Sequence, residues 1–396
     1  MSKEEDFSLI SHLMIIDDPR IDLTKKHELI DILVIAICAA ICGAETWTEI
    51  EDFGEEKESW FKSFLNLKHG IPSHDTFRRL FMILDPIVFS EVFYNWVSSV
   101  NKSLLKNDHI CIDGKTLRRS FDEAKKTSAI HMVNAWSTGM SLSLGQMKSE
   151  GKKNEIKTIP KLLDLLSIKG CLISIDAMGC QKSIADKILS KGGDYLLALK
   201  SNHKYLEERV VEAFEQSRKP GRKTFNIEDF EDKSEGHGRV EKRVCRVITP
   251  KKNEKLKVNI LTKWPDINAI IEMTSTRIIK KTGEVSEQTR YFISSSKKSA
   301  EEFFMAIRGH WEIENKLHWS LDVILREDEC RSRAGHSAEN FSLLRHFALN
   351  LVKSEETKIS VKRKQKKAGW GEEFLLKILL NDGKSHIWMR KPCERY

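Results

Sequence analysis

The chain has 396 residues, enough for two or three domains, and its 40% of hydrophobic residues excludes wholesale disorder. Its net charge of +8 favours a polyanionic partner, although a soluble protein with a mildly basic surface has the same balance. The cysteines form no CxxC pair, so we expect no zinc knuckle and a reducing, cytoplasmic compartment. The N-terminus is acidic and polar, unlike a signal peptide, and the longest apolar run, residues 30–44, is too short to span a membrane.

Residues 1–106 show helical periodicity and predict an α-helical N-terminal domain. Ser73 is a favourable N-cap residue, and apolar residues follow it at helical spacing. The helix that it begins carries Arg78 and Arg79, so it could be the DNA-reading helix of a helix-turn-helix unit that recognises DNA ends. An ordinary capped helix with a solvated basic face is the alternative.

From residue 107 the pattern changes to strands that alternate with helices. We predict strands over residues 109–112, 130–137, 140–147, 171–177 and 194–200, and helices over residues 158–166, 182–191 and 205–214. Three strands are thus followed by helix, strand, helix, strand and helix. That order predicts an α/β fold with a central sheet covered by helices, over residues 107–216.

The remaining third of the chain divides into three further segments. Residues 217–296 are charge-rich at first and then contain short strand patterns, so they predict a β-rich insertion. Residues 297–352 return to helical patterns, over residues 300–325 and 338–352, and complete the core. Residues 353–396 form a basic tail that we expect to be mobile in part.

Two acids stand where predicted strands end. Asp113 precedes Gly114 after one buried strand, and Asp176 follows another. Carboxylates placed in this way can project into a cleft and share a hard divalent cation such as Mg²⁺, although an aspartate at a strand end is more often a turn residue. A metal site would need a third acid. Glu312 and Glu314 point to different faces of their helix, so only one of them can serve.

Three stretches carry a resemblance to a known family: HICIDGKTLR, SIDAMGCQ and HWEIENKLHWSLDV. In this order and spacing they resemble the DDE transposases of bacterial insertion sequences, and more narrowly the subgroup of H-repeat-associated proteins. The resemblance covers nearly the whole chain and includes IPSHDTFRRLF, ALKSNH, GHGRVEKR and REDECRSRAGHSAENF. It implies a ribonuclease H-like catalytic core with acids on the first strand, the fourth strand and a late helix.

The resemblance also implies an activity. A DDE transposase cleaves DNA strands at the ends of an insertion sequence and transfers them to target DNA, with two bound Mg²⁺ or Mn²⁺ ions. Its partners would be double-stranded DNA and, on that DNA, a second copy of the chain. By resemblance, Asp113, Asp176 and Glu314 are the catalytic and metal-binding residues, which leaves Glu312 as a solvated helix residue.

Candidate contacts to DNA lie around these motifs. The wider group often has a Tyr, an Arg and a Lys around its glutamate, whereas this chain has Ile307, His310 and Leu321. His310 could donate to phosphate in place of the arginine, depending on pH. The further candidates are Lys115, Arg118, Lys200, Asn202, His237 and Arg239. Lys115 and Arg118 could instead lie in a solvated turn, and Asn202 could be a helix cap. A flexible surface loop is the alternative for His237 and Arg239. Trp311 and Trp319 are expected to be packing aromatics.

Two other functions remain open at this point. His310, Glu314 and His318 recur every four residues and lie near one helical face, which could suit zinc in a metal-dependent hydrolase. A DNA-binding protein with a decayed catalytic core is the other alternative. The intact acids and the resemblance over the whole chain favour the transposase.

Overall fold

The structure is a computed structural model that describes residues 9–100, 107–121, 128–200, 203–219, 225–250 and 264–380. Six α-helices form the described N-terminal part of the chain. They are α1 (Leu9–Leu13), α2 (Leu29–Cys42), α3 (Trp47–Glu56), α4 (Glu58–Phe61), α5 (His74–Ile83) and α6 (Pro86–Val100). The predicted helical character of this region is therefore confirmed for its described residues. No single described helix is long and apolar enough to cross a bilayer, although two bent helix pairs meet that measure together.

Helix α2 forms the centre of this region because its sequence, LIDILVIAICAAIC, is apolar almost all the way round. Its residues are buried from Ile32 to Ile41. Gly43 ends the helix in the left-handed conformation (φ 103°), which glycine adopts without a steric penalty. Asp31 is buried with it, and burial followed by the charge of Glu28 raises the pKa of Asp31 to about 6.

Ser73 caps α5 as predicted. Its hydroxyl accepts a hydrogen bond from the backbone N–H of Thr76. The helix buries one apolar face, made of Phe77, Leu80 and Phe81. Arg78 and Arg79 lie outside that face, and both pair with Asp75 on the preceding turn, at 2.9 and 2.8 Å.

Nine strands of the described residues form one mixed sheet: β1 (His109–Thr116), β2 (His131–Ser137), β3 (Leu142–Ser149), β4 (Leu172–Ile175), β5 (Asp194–Leu199), β6 (Asn226–Gly236), β7 (Arg239–Thr249), β8 (Ala269–Ile279) and β9 (Val285–Ser294). Their order is β3-β2-β1-β4-β5-β9-β8-β7-β6. β1, β4 and β5 run parallel, and every other neighbouring pair is antiparallel.

The helices between these strands follow the predicted order. α7 (Glu155–Leu165) leads from β3 to β4, α8 (Lys182–Ser190) leads from β4 to β5, and α9 (Lys204–Ser217) follows β5. Helices are the usual connections between parallel strands, because such a connection must cross from one end of the sheet to the other. The prediction of a mixed α/β fold with a central sheet is confirmed.

The first strand is longer than predicted. Asp113 and Gly114 do not end it, because β1 continues to pair with β2 as far as Thr116. Gly114 fits within the strand because the His131 and Glu155 side chains press against it: a Cβ there would lie 2.5 Å from an atom of each. The residue that suggested a turn is therefore a close-packing glycine in mid-strand.

The predicted β-rich insertion continues the central sheet through pairing of β5 with β9. The short strand patterns at residues 240–248, 267–276 and 288–294 correspond to β7, β8 and β9, and β6 was missed. β6 is the outer strand of the sheet, with most of its residues exposed on both faces, so its sequence NIEDFEDKSEG lacks apolar alternation. Its acidic side chains also disfavour pairing of this open edge with another strand.

Strands β6–β9 extend beyond the core as a four-stranded ribbon. Tyr291 pairs with Leu199, the last residue of β5, so residues 285–290 of β9 lie past the end of that strand. Six residues in extended conformation span about 20 Å. The ribbon therefore projects from the same edge of the sheet at which β4 ends and Asp176 follows.

The last described part of the chain is helical, so residues 353–380 of the predicted tail are folded. α10 (Ala300–His310) is followed by α11 (Ser337–Ser354), α12 (Val361–Trp370) and α13 (Glu372–Leu380). α12 and α13 bury apolar residues, among them Ala368, Leu375 and Ile378. Only residues 381–396 of the predicted tail lie outside the described residues.

The N-terminal helices share a core with α11. The Trp47 ring stacks on that of Phe341 with centroids 4.4 Å apart, and the rings of Phe89 and Phe93 lie 5.2 and 4.7 Å from that of Phe347. Buried residues of α2, α11 and α13 belong to the same hydrophobic cluster. Removal of residues 1–106 would therefore expose the apolar side of α11.

Candidate active site

Asp113 and Asp176 lie at the point where β1 and β4 part. The parallel register pairs Ile110 with Ile173 and ends with Ile112 opposite Ile175. Each acid is the next residue after that last pair. The pairing of two apolar strands thus brings together two carboxylates from distant parts of the sequence.

Asp176 also ends its strand and starts the next element. Its Oδ1 accepts hydrogen bonds from the backbone N–H groups of Met178 and Gly179, at 3.0 and 3.2 Å. It therefore caps the short 3₁₀ turn Ala177–Gly179. These bonds fix the carboxylate in place and engage one of its two oxygens, so the turn role and a ligand role are compatible.

The segment after α10 lies across the ends of these strands. His310 Nδ1 shares a hydrogen bond with Ser174 Oγ of β4 at 2.8 Å, and His109 Nε2 of β1 shares one with the same hydroxyl at 2.7 Å. Eight residues later, His318 Nδ1 lies 3.6 Å from Asp113 Oδ2. Glu314 stands midway between these two histidines in sequence.

This segment is not the continuous α-helix that was predicted to residue 325. It is α-helical to His310 and π-helical over Ile313–His318 and again over Ser320–Ile324. π-Helical turns are rare and occur frequently at functional sites. A sequence pattern read at 3.6 residues per turn has no means of indicating this wider winding.

The pKa of Asp113 reflects its burial and the acids within electrostatic range of it. Burial, and then the negative charges of Asp176, Glu314 and Glu155, raise the pKa of Asp113 to about 7, although the Gly114 backbone N–H opposes the shift. A cation placed among these carboxylates would relieve their mutual repulsion. The donor set, carboxylate oxygens, is the one that hard divalent cations prefer.

Asp113 and Asp176 follow a directly paired couple of residues, but the three acids do not form a closed ligand cage. Within the described ranges, no group of three or more His, Cys, Asp or Glu side chains has the geometry to hold a metal ion. This finding applies to the three acids and to the His310, Glu314 and His318 set alike. His310 is engaged with Ser174 on β4 while His318 approaches Asp113 on β1. Carboxylate oxygens are the ligands that hard divalent cations prefer, but the described side chains do not enclose a site for one.

Glu312 and Glu314 differ in their surroundings. Glu314 is exposed, and its charge acts on Asp113. Glu312 Oε1 pairs with Lys316 Nζ at 2.8 Å, as its spacing predicted. The expectation that Glu312 is a solvated residue needs correction, however, because its side chain is 29% exposed and its Oε2 is buried with no hydrogen-bond partner among the described residues.

Lys115 is the clearest correction to the predicted DNA contacts. Its side chain is 7% exposed, and its Nζ lies 2.7 Å from both Glu327 Oε2 and Asp322 Oδ1. Burial opposes its charge, but these carboxylates outweigh it and raise the pKa of Lys115. Burial would likewise raise the pKa of Glu327, yet Lys115 lowers it to about 2. The ammonium group is therefore enclosed by acids and does not face solvent or phosphate.

His310 also departs from its predicted role. Burial lowers its pKa to about 4, with a smaller opposing effect from Asp176. The ring is neutral at physiological pH and its Nδ1 is taken by Ser174. His310 therefore fixes α10 to β4 and is a poor substitute for a phosphate-binding arginine.

The comparisons with known proteins bear on the whole of this arrangement. A family model described as Transposase DDE domain matches residues 105–351, a range that contains all three acids. A second model, described as DDE_Tnp_1-associated, matches residues 10–97. The chain belongs to the DDE transposase family.

One relative of this transposase matches almost its full length, and another matches 60% of it. YhhI of Escherichia coli, whose name describes an H repeat-associated transposase, is 41% identical over 382 residues, which cover 95% of this chain and 99% of that protein. YbfD of the same organism, similarly named, is 43% identical over 244 residues, covering 60% of this chain and 94% of its own. A piggyBac transposase in a synaptic complex with hairpin DNA aligns with 98% of this chain and 83% of that chain, at 11% identity and a TM-score of 0.35, a likeness too low to carry a structural argument.

The other candidate DNA contacts of this transposase fall into three places. Arg118 is exposed beside β1 and pairs with Asp328 at 3.1 Å, and Lys200 is exposed at the end of β5. Asn202 lies outside the described residues. His237 lies at the far end of the ribbon in a tight turn, where both it and Gly238 have positive φ, and Arg239 begins the next strand. That turn is a two-residue hairpin connection and not a long loop.

Two features of the transposase were missed from the sequence. Trp311 and Trp319 were expected to be packing aromatics, yet they are 45% and 53% exposed. The acids of the REDE stretch, among them Glu327, had no predicted role, although Glu327 is buried against Lys115. A run of alternating charges resembles a solvated segment, so nothing in the local pattern indicated a buried ion pair.

Proposed function

We propose that this transposase hydrolyses a phosphodiester bond at each end of its mobile element and transfers the freed 3′ end to target DNA. The supporting observation is the strand register that places Asp113 beside Asp176, under a segment that carries Glu314. These three residues are the proposed catalytic set. Membership of the DDE transposase family supports the general function of a transposase.

The proposed chemistry has two balanced steps. In the first, a water oxygen attacks phosphorus, the bond to the 3′ oxygen breaks, and that oxygen takes up a proton to leave a 3′ hydroxyl and a 5′ phosphate. In the second, this hydroxyl attacks a target phosphodiester and displaces the target's 3′ oxygen. We propose two divalent cations, either Mg²⁺ or Mn²⁺. They would lower the pKa of the attacking oxygen and stabilise the negative charge on the leaving oxygen.

The protein's own residues supply position and charge. The carboxylates of Asp113, Asp176 and Glu314 would hold the cations at the edge of the sheet. Asp176 is already oriented by two backbone N–H groups, which reduces the reorganisation that binding requires. His318 lies at 3.6 Å from Asp113, and burial lowers its pKa to about 3, so it approaches this acid as a neutral ring.

The fold assignment forms part of the same proposal. Strands β1–β5 have the order β3-β2-β1-β4-β5, with β4 and β5 parallel to β1. This order, with acids on β1, after β4 and on a late helical segment, supports a ribonuclease H-like core. We also propose that residues 1–106 contribute to recognition of the element ends, through Arg78 and Arg79, and that the chain acts as a homodimer on double-stranded DNA.

A cleavage assay tests the proposal. The full chain is incubated with a duplex that carries the terminal repeat flanking its gene, in Mg²⁺, Mn²⁺ or EDTA, and nicking is resolved on a denaturing gel. We expect nicking that requires the cation and is lost in Asp176→Asn. Asp186→Asn, which changes an exposed aspartate on α8, is the matched control and should retain activity.

The outcomes separate the competing functions. Equal nicking by the wild type and Asp176→Asn would refute the assignment of the acids. Specific binding of the end duplex with no nicking in either cation would instead indicate a DNA-binding protein with a decayed core. Activity supported only by Zn²⁺ and lost in His318→Ala would support the zinc hydrolase.

A further inference from the structure

An arginine-rich cleft lies between the N-terminal helices and the catalytic core. Its volume is about 630 Å³. Five arginines line it: Arg78 on α5, Arg119 just after β1, and Arg326, Arg331 and Arg333 in the segment before α11. Only two acids, Glu45 and Glu329, line it with them, so positive side chains exceed negative ones by three. We call it the arginine cleft.

Three of the five arginines of the cleft have an acidic partner, and one of these is Arg78, which pairs with Asp75 at 2.9 Å. Arg119 pairs with Glu329 at 2.7 Å, while Arg326 lies 3.8 Å from Glu45 in an exposed pair that contributes little. Arg333 donates to the backbone carbonyl of Arg119 at 3.3 Å. Arg331 is exposed and has no ion-pair partner in the described part of the chain.

Such a concentration of like charge favours an anionic ligand. Guanidinium groups repel one another, and the part of this repulsion that the neighbouring acids do not offset would be relieved by a bound polyanion. Arginine matches phosphate with two parallel hydrogen bonds, and its charge persists over the whole physiological pH range. A line of phosphates, as in a nucleic acid backbone, would neutralise several of these side chains at once.

The cleft is fixed to the catalytic edge by successive ion pairs. Lys115 pairs with Glu327, Arg118 with Asp328, and Arg119 with Glu329, so the short 3₁₀ turn Glu327–Glu329 is held against the end of β1 and the residues that follow it. Arg119 is six residues beyond Asp113, which limits their separation to about 20 Å. Along duplex DNA at about 3.4 Å per base pair, this corresponds to about six base pairs.

The same segment is fixed to the N-terminal helices. The His336 backbone N–H donates to the carbonyl of Met82 in α5 at 3.0 Å. Gly335 next to it has a φ of 54°, and a Cβ there would lie 2.5 Å from that carbonyl oxygen, so no other residue fits without a shift. The cleft therefore joins two parts of the chain at a defined geometry.

We propose that the arginine cleft binds backbone phosphates of duplex DNA within about six base pairs of the bond that is cut. It deepens the proposed function, because it assigns a phosphate-binding site that holds the element end in register with the acids. The contacts are to phosphate, so they position the duplex without reading its sequence. The REDECRSRAG stretch, which had no assigned role, supplies three of the five arginines.

The binding experiment uses the full chain in EDTA, where cleavage does not occur. Affinity for an end duplex is measured by fluorescence anisotropy over a range of KCl concentrations for the wild type, Arg331→Gln and Arg333→Gln. Each substitution should weaken binding several-fold at low salt and reduce the slope of log K against log [KCl] by about one. Arg209→Gln, an exposed arginine on α9 outside the cleft, is the control and should leave the slope unchanged. An unchanged slope in both cleft variants would overturn the proposal.

A footprint on the unmodified chain gives an independent answer. Cys330 lines the cleft and is partly exposed, whereas Cys38, Cys111 and Cys245 are buried. Saturating end duplex should slow the alkylation of Cys330 by iodoacetamide, read by peptide mass spectrometry, at least about tenfold. An unchanged alkylation rate would contradict occupation of the cleft by DNA. Both measurements concern binding alone, so an inactive catalytic core would leave their outcome unaffected.

Discussion

Asp113 and Asp176 are placed side by side by the residue pair that precedes them, Ile112 and Ile175, the last to pair between parallel strands β1 and β4. Both isoleucines are buried, at 0% and 3% exposure, so the hydrophobic core fixes the strands up to the point where the acids begin. Beyond it, β1 continues along β2 alone. The packing of these apolar residues thereby holds two negatively charged side chains close together, although their repulsion is unfavourable.

The first prediction concerns the stability of the cation-free protein. The pKa of Asp113 is about 7 in the folded chain and near its ordinary value of 3.8 in the unfolded chain. Because the carboxyl pKa is higher in the folded state, the free energy of unfolding falls as pH rises from about 4 to 7. In EDTA, Asp113→Asn should therefore increase the free energy of unfolding at pH 8 by on the order of 3 kcal/mol, and have little effect at pH 4. Urea unfolding followed by circular dichroism measures both values. A destabilised variant at pH 8 would contradict the electrostatic account.

The second prediction concerns cation binding. A ligand that binds only the folded state raises its melting temperature. About 10 mM MgCl₂ should raise the Tm of the wild type at pH 8, and the shift should be absent in Asp113→Asn and in Asp176→Asn. Differential scanning fluorimetry at constant ionic strength makes the comparison, with Asp186→Asn as a variant that keeps the shift. The same shift in all four proteins would assign the bound cation to some other place.

The third prediction concerns the enclosed pair of Lys115 and Glu327. Lys115→Met leaves the Glu327 carboxylate buried and without its cation, which should destabilise the chain by about 3–5 kcal/mol. Since Glu327 has a lowered pKa, this contribution is present above pH 4.5 and is lost as pH falls toward 2. The control Lys298→Met breaks an exposed pair with Glu302 and should cost under about 1 kcal/mol.

A double substitution tests whether the stability lost in Lys115→Met comes from the interaction of Lys115 with Glu327. Lys115→Met with Glu327→Gln should recover part of the lost stability, because the fully buried charge is removed and only the partly exposed Asp322 is left without its cation. Chemical unfolding of the wild type, both single variants and the double variant gives the coupling energy. Strictly additive losses would show that the two side chains stabilise the fold independently.

Much of the fold could be predicted because local pattern and final environment agree. The buried strands of the core are apolar runs, and Ser73 has the chemistry of an N-cap, which α5 uses. Asp176 follows a buried strand and lies where the sequence placed it. Features that depend on two distant segments could not be predicted. The burial of Lys115 depends on Glu327, 212 residues away, and neither neighbourhood alone indicates an ion pair.

Other differences come from local patterns that carry little information. β6 is exposed on both faces, so its acidic sequence shows no strand period. α12, VKRKQKKAGW, is strongly basic and its sequence alone predicts a basic tail, although Ala368 and the stem of Lys364 are buried against neighbouring helices. A lysine can bury its methylene groups while its ammonium finds oxygen acceptors, here the backbone carbonyls of Val352 and Glu355.

The last prediction concerns which glutamate of the π-helical segment is catalytic. Glu314 is exposed at the acid edge and acts on Asp113, whereas Glu312 is held by Lys316 and has one oxygen shut away from solvent. Loss of an i,i+4 pair costs only a few tenths of a kcal/mol, and Glu312→Gln also removes charge from a buried oxygen, so this variant should stay active. Loss of a cation ligand removes several kcal/mol of transition-state stabilisation, so Glu314→Gln should slow strand cleavage at least about 100-fold. Single-turnover cleavage of the end duplex in Mn²⁺ measures the rates, and a gel-shift assay confirms that both variants still bind DNA. If Glu312→Gln cleaved DNA slowly and Glu314→Gln cleaved it at the wild-type rate, the assignment would be reversed. The half-buried Glu312 would then be the third acid.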